Sequence, residues 1–120
     1  MIHLDYRDPR PIYEQVFDAL RGLIVTGVLA PGEKLPSVRE LAGTLAINPN
    51  TIQRAYRELE ADGYLCSVPG KGSFVSLSDA ARAAHRKELL ERFAALRAEL
   101  RTVGVDDEEL IRLIQGGEET

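Results

Sequence analysis

Apolar positions recur at helical spacing in the first quarter of the chain. They lie three or four residues apart between Pro11 and Thr26, so the pattern predicts one amphipathic helix. These positions are Ile12, Val16, Ala19, Leu20, Leu23 and Ile24. The segment GVLAPGEKLPS, with two prolines and two glycines, then predicts a connector.

Two short helices separated by a tight turn are predicted next. Ser37 and Glu40 have the spacing of a capping box, in which the hydroxyl and the carboxylate each accept a backbone N–H, so a helix is expected over 38–45. Asn48 and the proline after it form the cap and first residue of a further helix over about 49–62. The order is that of a helix-turn-helix.

A β-hairpin and a helical tail follow. Two runs rich in β-formers, 64–68 and 73–76, flank the turn PGKG, and Ser78 then caps a long helix without glycine or proline. Its apolar side chains alternate four and three residues apart, as in a helix that pairs with another. This stripe is Leu89, Phe93, Leu96, Leu100 and Val103.

A last short helix is predicted after Gly104. The predicted fold is therefore mainly α with a small β-hairpin: a winged helix-turn-helix over 9–77, then a two-helix tail over 78–120 for dimerisation or for binding an effector. The stripe would pair two chains, or would fold back on the head of its own chain.

The helix over 49–62 has the side chains of a DNA-recognition helix. It opens with small polar residues and carries glutamine and arginine, which read base edges in the major groove. Lys71, between two glycines at the hairpin tip, would bring one positive charge and backbone N–H groups to a phosphate backbone. A helix-turn-helix followed by such a wing predicts DNA binding.

The motifs PGEKLPSVRELA, NPNTIQRAYRELEADGYL and PGKGSFV occur in order and without gaps. Over residues 9–77 the chain closely resembles the DNA-binding domain of the GntR family of bacterial transcription regulators. Only 43 residues follow Leu77, which is similar to the YtrA-like branch with its short helical tail. A head detached from the aminotransferase-fused branch is the alternative, although Met1 and the terminal GGEET favour a whole chain.

The resemblance implies DNA contacts at the second helix, along the recognition helix and in the wing. These residues are Ser37, Arg39, Asn48, Asn50, Thr51, Gln53, Arg54, Gly70, Lys71 and Gly72. Arg39 would touch a base edge. Simpler roles stay open: Arg39 could pair with Glu40, Glu58 or Glu60, Asn48 and Thr51 could only cap, and Lys71 could only solubilise a turn.

The family pattern often has arginine or serine at the position of Pro49 and arginine at that of Gln53, so the base preference does not carry over. The implied function is a sequence-specific, homodimeric regulator, and the resemblance favours a repressor on a pseudo-palindromic operator. Its partners would be double-stranded operator DNA, a second copy and an unidentified small-molecule effector.

The net charge of −4 argues against binding by bulk positive charge. Eight Lys and Arg against nine Asp and Glu precede residue 78, and seven against ten follow, so any DNA contact needs a local basic face. The acidity would also suit a second class of function, a winged-helix protein-interaction module without DNA.

Several other classes of function lack their residues. One cysteine, Cys66, and the isolated His3 and His85 predict no disulfide, metal or cofactor. The sequence has no phosphate loop, no nucleophile paired with a base and no pair of carboxylates set for catalysis. It therefore does not predict an enzyme. The chain has no signal peptide and no run of about 18 apolar residues, so we expect a cytoplasmic protein that contacts no membrane.

Overall fold

The computed structural model describes residues 2–116, and the chain divides into two compact units between Arg82 and Ala83. The elements are α1 (Ile12–Val25), α2 (Val38–Leu45), α3 (Pro49–Ala61), β1 (Leu65–Val68), β2 (Gly72–Val75), α4 (Asp79–Thr102) and α5 (Asp107–Ile114). The prediction of a mainly α fold with one hairpin is confirmed. The predicted end of the tail, 117–120, lies outside the described residues.

The predicted capping box begins α2. The Ser37 hydroxyl accepts the Glu40 backbone N–H at 3.0 Å, and the Glu40 carboxylate accepts the Ser37 N–H at 2.9 Å. At the start of α3, the Asn48 side-chain oxygen accepts the Asn50 N–H at 2.8 Å. Both helix starts therefore follow from side chains next to them in the sequence.

A three-residue turn joins α2 to α3. Ala46 ends α2 in the left-handed conformation, with φ 58° and ψ 45°, and the Ile47 N–H donates to the Ala42 carbonyl at 3.0 Å. A left-handed residue other than glycine costs about 1–2 kcal/mol, so the surrounding contacts must hold this turn in place.

The first unit has one apolar core, to which α1, α2, α3 and the hairpin contribute. Val16, Ile52 and Leu59 are its largest fully buried side chains. The one buried polar side chain among the described residues is Gln15. Its amide accepts the Asp5 N–H at 2.8 Å and donates to the Asp5 carbonyl at 3.0 Å, which fastens the N-terminal residues to α1.

The hairpin pairs with a third segment of backbone. Strand β1 runs antiparallel to β2, and β2 also pairs with the segment Glu33–Leu35. The Leu35 N–H donates to the Ser73 carbonyl at 2.9 Å, and the Val75 N–H donates to the Glu33 carbonyl at 2.8 Å. The segment between α1 and α2 is a connector without a helix or strand of its own, as predicted, but its pairing with β2 was not predicted.

The link from α3 to α4 depends on one glycine. Gly63 has φ +87°, and a Cβ there would collide with the Ser78 hydroxyl. The Ser78 N–H donates to the Gly63 carbonyl at 2.9 Å, and the hydroxyl accepts the Ala81 N–H at 3.0 Å. The prediction that Ser78 caps α4 is confirmed.

In the second unit an aspartate joins α5 to α4. Asp107 accepts two hydrogen bonds from Arg97, at 2.8 and 2.7 Å, and one from Arg101 at 3.1 Å. Asp106 caps α5 by accepting the Glu109 N–H at 3.0 Å. Charged side chains thus fix the position of α5 relative to the end of α4.

Candidate nucleic-acid interface

Helix α3 has one buried face and one polar, exposed face. Its buried residues are Ile52, Ala55, Tyr56 and Leu59. The opposite face carries Asn50, Gln53, Arg54 and Arg57, all exposed. Spacings of three and four residues bring these polar side chains onto one side of the helix, where a DNA groove could reach them.

Arg39 is exposed on α2. Within residues 2–116 it makes no ion pair, and the three glutamates that could have paired with it act elsewhere. Glu40 belongs to the capping box, Glu58 accepts from Arg54, and Glu60 accepts the Ser67 hydroxyl at 3.0 Å. Its contact with a base stays a prediction, made from an exposed guanidinium.

The carboxylate beside Arg39 is held in its charged form. Hydrogen bonds from the Ser37 backbone and then its hydroxyl lower the pKa of Glu40, and the nearby charge of Lys34 adds to the effect. The cap of α2 therefore stays charged at neutral pH.

A hollow of about 400 Å³ lies between the start of α2 and the wing. Four predicted DNA-binding residues line it: Ser37, Gly70, Lys71 and Gly72. Lys34 lines it as well, although it is not among the predicted DNA-binding residues. The structure thus brings the wing residues together with the α2 cap.

Tyr56 lines the same hollow and supports its wall. Its hydroxyl donates to the Pro36 carbonyl at 2.7 Å. Burial, with a smaller contribution from the Glu40 charge, raises the pKa of Tyr56 to about 12. Tyr56 therefore has a buried ring with a hydrogen-bonded hydroxyl, and it links α3 to the segment before α2.

A second hollow, of about 340 Å³, lies between the starts of α1 and α3 and is lined by Asn50, Thr51 and Arg54. Arg54 is engaged there: its guanidinium lies over the Tyr13 ring and its Nε donates to Glu58 at 3.4 Å. Of the predicted residues described, Arg39, Asn48 and Gln53 line neither hollow. The DNA contacts of all these residues stay predictions.

Two basic residues at this surface were not selected from the sequence. Arg57 shares the exposed face of α3 with Gln53. Lys34 reaches the wing only because its segment pairs with β2, about forty residues further along the chain. A pattern of local spacings contains no signal for that contact.

The predicted dimer stripe is uncovered in the single chain. Leu89, Phe93 and Leu96 are 45, 47 and 53% exposed, and they line a groove of about 460 Å³ along α4. Val103 is exposed and Leu100 is half-buried. These half-exposed leucine and phenylalanine side chains form an exposed apolar strip along α4.

The first unit also contains a largely apolar cleft of about 540 Å³, which is within the usual size of a ligand site. It is lined by Ile2, Leu20, Leu23, Leu29, Glu33, Lys34, Leu35, Pro36, Leu41, Thr44 and Leu45. The predicted place for an effector is the tail over 78–120, whereas this cleft lies in the first unit. The binding of an effector stays a prediction.

Two kinds of feature are absent from the part of the chain that the structure describes. Residues 2–116 contain no group of three or more His, Cys, Asp or Glu side chains that could hold a metal ion. None of their helices combines the length and apolarity that a membrane crossing needs.

The arrangement of α2, turn, α3 and hairpin defines a winged helix-turn-helix protein. The family model for bacterial regulatory proteins of the gntR family matches residues 12–75. The chain belongs to the GntR family, in its YtrA-like branch, and is a DNA-binding transcription regulator.

Two relatives illustrate the match. The transcriptional repressor YtrA of Bacillus subtilis is 46% identical over 76 residues, which are 63% of this chain. The chain spans 58% of the length of YtrA. The transcriptional regulator YhcF of the same organism is 35% identical over 114 residues, 92% of each chain.

Solved structures agree. A GntR family transcriptional regulator from Listeria monocytogenes is 34% identical, with a TM-score of 0.70, over 92% of this chain and 98% of its own. The DNA-binding domain of AraR, in complex with its operator ORE1, is 32% identical, with a TM-score of 0.55, over 63% of this chain and 93% of its own.

Proposed function

We propose that the chain is a homodimeric repressor that binds a pseudo-palindromic operator, with α3 in the major groove and the wing against the phosphate backbone. The observation that carries this proposal is the exposed polar face of α3, which follows a tight turn and precedes a glycine-flanked lysine. A relative bound to operator DNA, AraR, has the same arrangement of elements.

Dimerisation through the tail is supported by the uncovered stripe on α4. A helix surface of leucine and phenylalanine at alternating four and three spacing is stabilised when a second such helix covers it. Two heads held in this way would present two copies of α3 to one duplex. Such symmetry calls for two half-sites about one helical turn apart, or a multiple of it.

Repression is proposed because YtrA, a close relative in the same branch, is named a repressor. A bound dimer would then block a promoter. Because operator DNA lies in the bacterial cytoplasm, we place the protein there. The acidic net charge does not oppose this, since the basic residues needed for binding sit on α2, α3 and the wing.

The proposal is tested by incubating the purified chain with sheared genomic DNA of its source and sequencing the retained fragments. We expect enrichment of fragments with inverted half-sites, and retention that falls steeply with salt as counterions are released. No retention of DNA above background would favour the protein-interaction module. Placing an enriched fragment before a reporter gene then separates a repressor, which lowers transcription, from an activator.

A further inference from the structure

The backbone around Lys34 is fixed to the wing. Lys34 forms a β-bridge with Phe74, and hydrogen bonds on both sides, from Leu35 to Ser73 and from Val75 to Glu33, hold the segment to β2. Leu35 is 2% exposed, whereas Lys34 is exposed. Because residues next to each other on an extended segment face opposite sides, burial of Leu35 directs Lys34 outward.

The side chain of Lys34 crosses a wing glycine. A Cβ at Gly72 would lie 2.9 Å from Lys34 Cε and 3.8 Å from its Nζ, and Lys34 supplies the three nearest atoms. Gly72 also has φ +120°, which side-chain-bearing residues rarely adopt. The missing Cβ therefore leaves the space that the lysine stem occupies, and a stem held there loses less freedom when its ammonium binds.

Within residues 2–116 the Lys34 ammonium makes no ion pair, although Glu33 is its neighbour in the chain and Glu40 lines the same hollow. The Glu33 carboxylate accepts the Ala30 N–H at 2.9 Å, and the Glu40 carboxylate accepts the Ser37 N–H at the same distance. Both carboxylates are thus engaged with the backbone, and Lys34 lines the same hollow as Lys71.

We propose that Lys34 binds a phosphate of the DNA backbone at the wing, as a contact separate from that of Lys71. The inference rests on the proposed DNA-binding mode and extends the interface to the segment before α2. Lys71, between the two wing glycines, and Lys34, whose stem crosses Gly72, would hold neighbouring phosphates and fix the depth at which the wing sits. Gly72 is then required because the Lys34 stem passes over it.

The test uses the full chain and an end-labelled DNA duplex of mixed sequence, with affinity measured by fluorescence anisotropy over a range of salt. We expect Lys34→Gln to reduce the slope of log affinity against log salt by about 0.9 for each bound chain. Lys34→Arg should keep the wild-type slope. Lys87→Gln, the same charge change on exposed α4, is the matched control and should also keep it.

Two combinations separate this contact from a structural effect. Lys34→Gln and Lys71→Gln should lower the slope additively, since each lysine neutralises its own phosphate. Gly72→Ala should lower the slope as much as Lys34→Gln does. The variant that combines Gly72→Ala with Lys34→Gln should lower the slope no further. Thermal unfolding of each variant checks that the wing stays folded.

Three results would overturn the proposal. A Lys34→Gln variant with the wild-type slope would show that Lys34 contacts no phosphate. If the wild-type chain still binds DNA in a salt-dependent way, the proposed DNA-binding mode would stand without this contact. A change in affinity for inorganic pyrophosphate, without a change in the DNA slope, would assign the lysine to a free anion. A wild-type chain without salt-dependent binding would remove the proposed function and this contact together.

Discussion

The guanidinium carbon of Arg54 lies 3.7 Å from the centroid of the Tyr13 ring. This contact joins the recognition helix α3 to the start of α1, and Glu58, one turn further along α3, accepts from the same side chain at 3.4 Å. Arg54 is thus oriented from two sides while 53% of its side chain stays exposed. In the proposed binding mode Arg54 would contact DNA from this fixed position, while its contact with Tyr13 ties α3 to α1.

The first prediction concerns this stacking. An exposed cation–π pair contributes about 0.5–1 kcal/mol, so a double-mutant cycle with Tyr13→Leu and Arg54→Gln should give a coupling energy of that size. Tyr13→Phe keeps the ring and should retain the coupling. Thermal unfolding is the measurement, since about 1 kcal/mol moves the midpoint of a small domain by roughly 4–8 °C. Additive effects of the two changes would show that the Tyr13 ring and the Arg54 guanidinium do not interact in solution.

The second prediction separates reading from stability at Arg39. Arg39→Ala should leave the unfolding free energy within about 0.5 kcal/mol, because the side chain is exposed and makes no ion pair in residues 2–116. The preference for operator over scrambled DNA should fall by about 1–3 kcal/mol per lost base contact. Arg82→Ala, an exposed arginine outside the predicted interface, is the control for both measurements. An unchanged preference would exclude Arg39 as a reader.

The third prediction concerns the pH dependence of the tail. Hydrogen bonds from Arg97 are the main reason that the pKa of Asp107 falls from 3.8 to about 2, and Arg101 adds to the effect. A carboxyl whose pKa is lower when folded stabilises the fold above its unfolded pKa. That contribution should be complete at neutral pH, decline below about pH 4 and vanish as the pH falls through about 2.

Asp107→Asn should therefore lower the protection of α5 amides from hydrogen exchange at pH 7, and the difference from wild type should shrink as the pH falls from about 4 towards 2. Because the group is exposed, the effect should also weaken with added salt. Glu108→Gln is the control, a neighbouring acid with no ion pair among the described residues. A difference that persists unchanged at pH 2 would contradict the assignment to this carboxylate.

The sequence was sufficient for the features that neighbouring residues determine. The capping box at Ser37 and Glu40, the cap at Asn48 and the hairpin around Lys71 all depend on spacings within a few residues. Their predicted positions agree with the structure to within a residue or two. The polar face of α3 followed from the same helical spacing.

Contacts between distant parts of the chain were not predictable in the same way. The bridge from Lys34 to Phe74 and the stacking of Arg54 on Tyr13 join segments about forty residues apart. Whether two such side chains meet depends on how the helices pack, which spacing does not encode. Composition also gave no hint that Gln15 would be the buried polar side chain, since its partner is backbone.

The last prediction concerns the stripe on α4, which we propose pairs two chains. Leu89 and Leu96 are about half exposed in the single chain, and burying the exposed half of each would contribute roughly 0.8–1.5 kcal/mol, half the value for a whole side chain. A glutamate at both positions would place four like charges in the paired surface, where desolvation and repulsion add to the lost burial. We therefore expect Leu89→Glu with Leu96→Glu to convert the dimer to a monomer, measured by light scattering over a range of concentrations.

Ala98→Glu is the matched control, because Ala98 is exposed on the side of α4 opposite the stripe. It should keep the mass of two chains. The monomeric double variant should keep the thermal transition of its head, since that core comes from residues of the first unit. It should lose most of its affinity for a two-half-site operator, because the second half-site is no longer bound at the high effective concentration that the tail provides. If the double variant keeps the mass of a dimer, the chains pair elsewhere, and the exposed apolar side chains of α5 become the next surface to substitute.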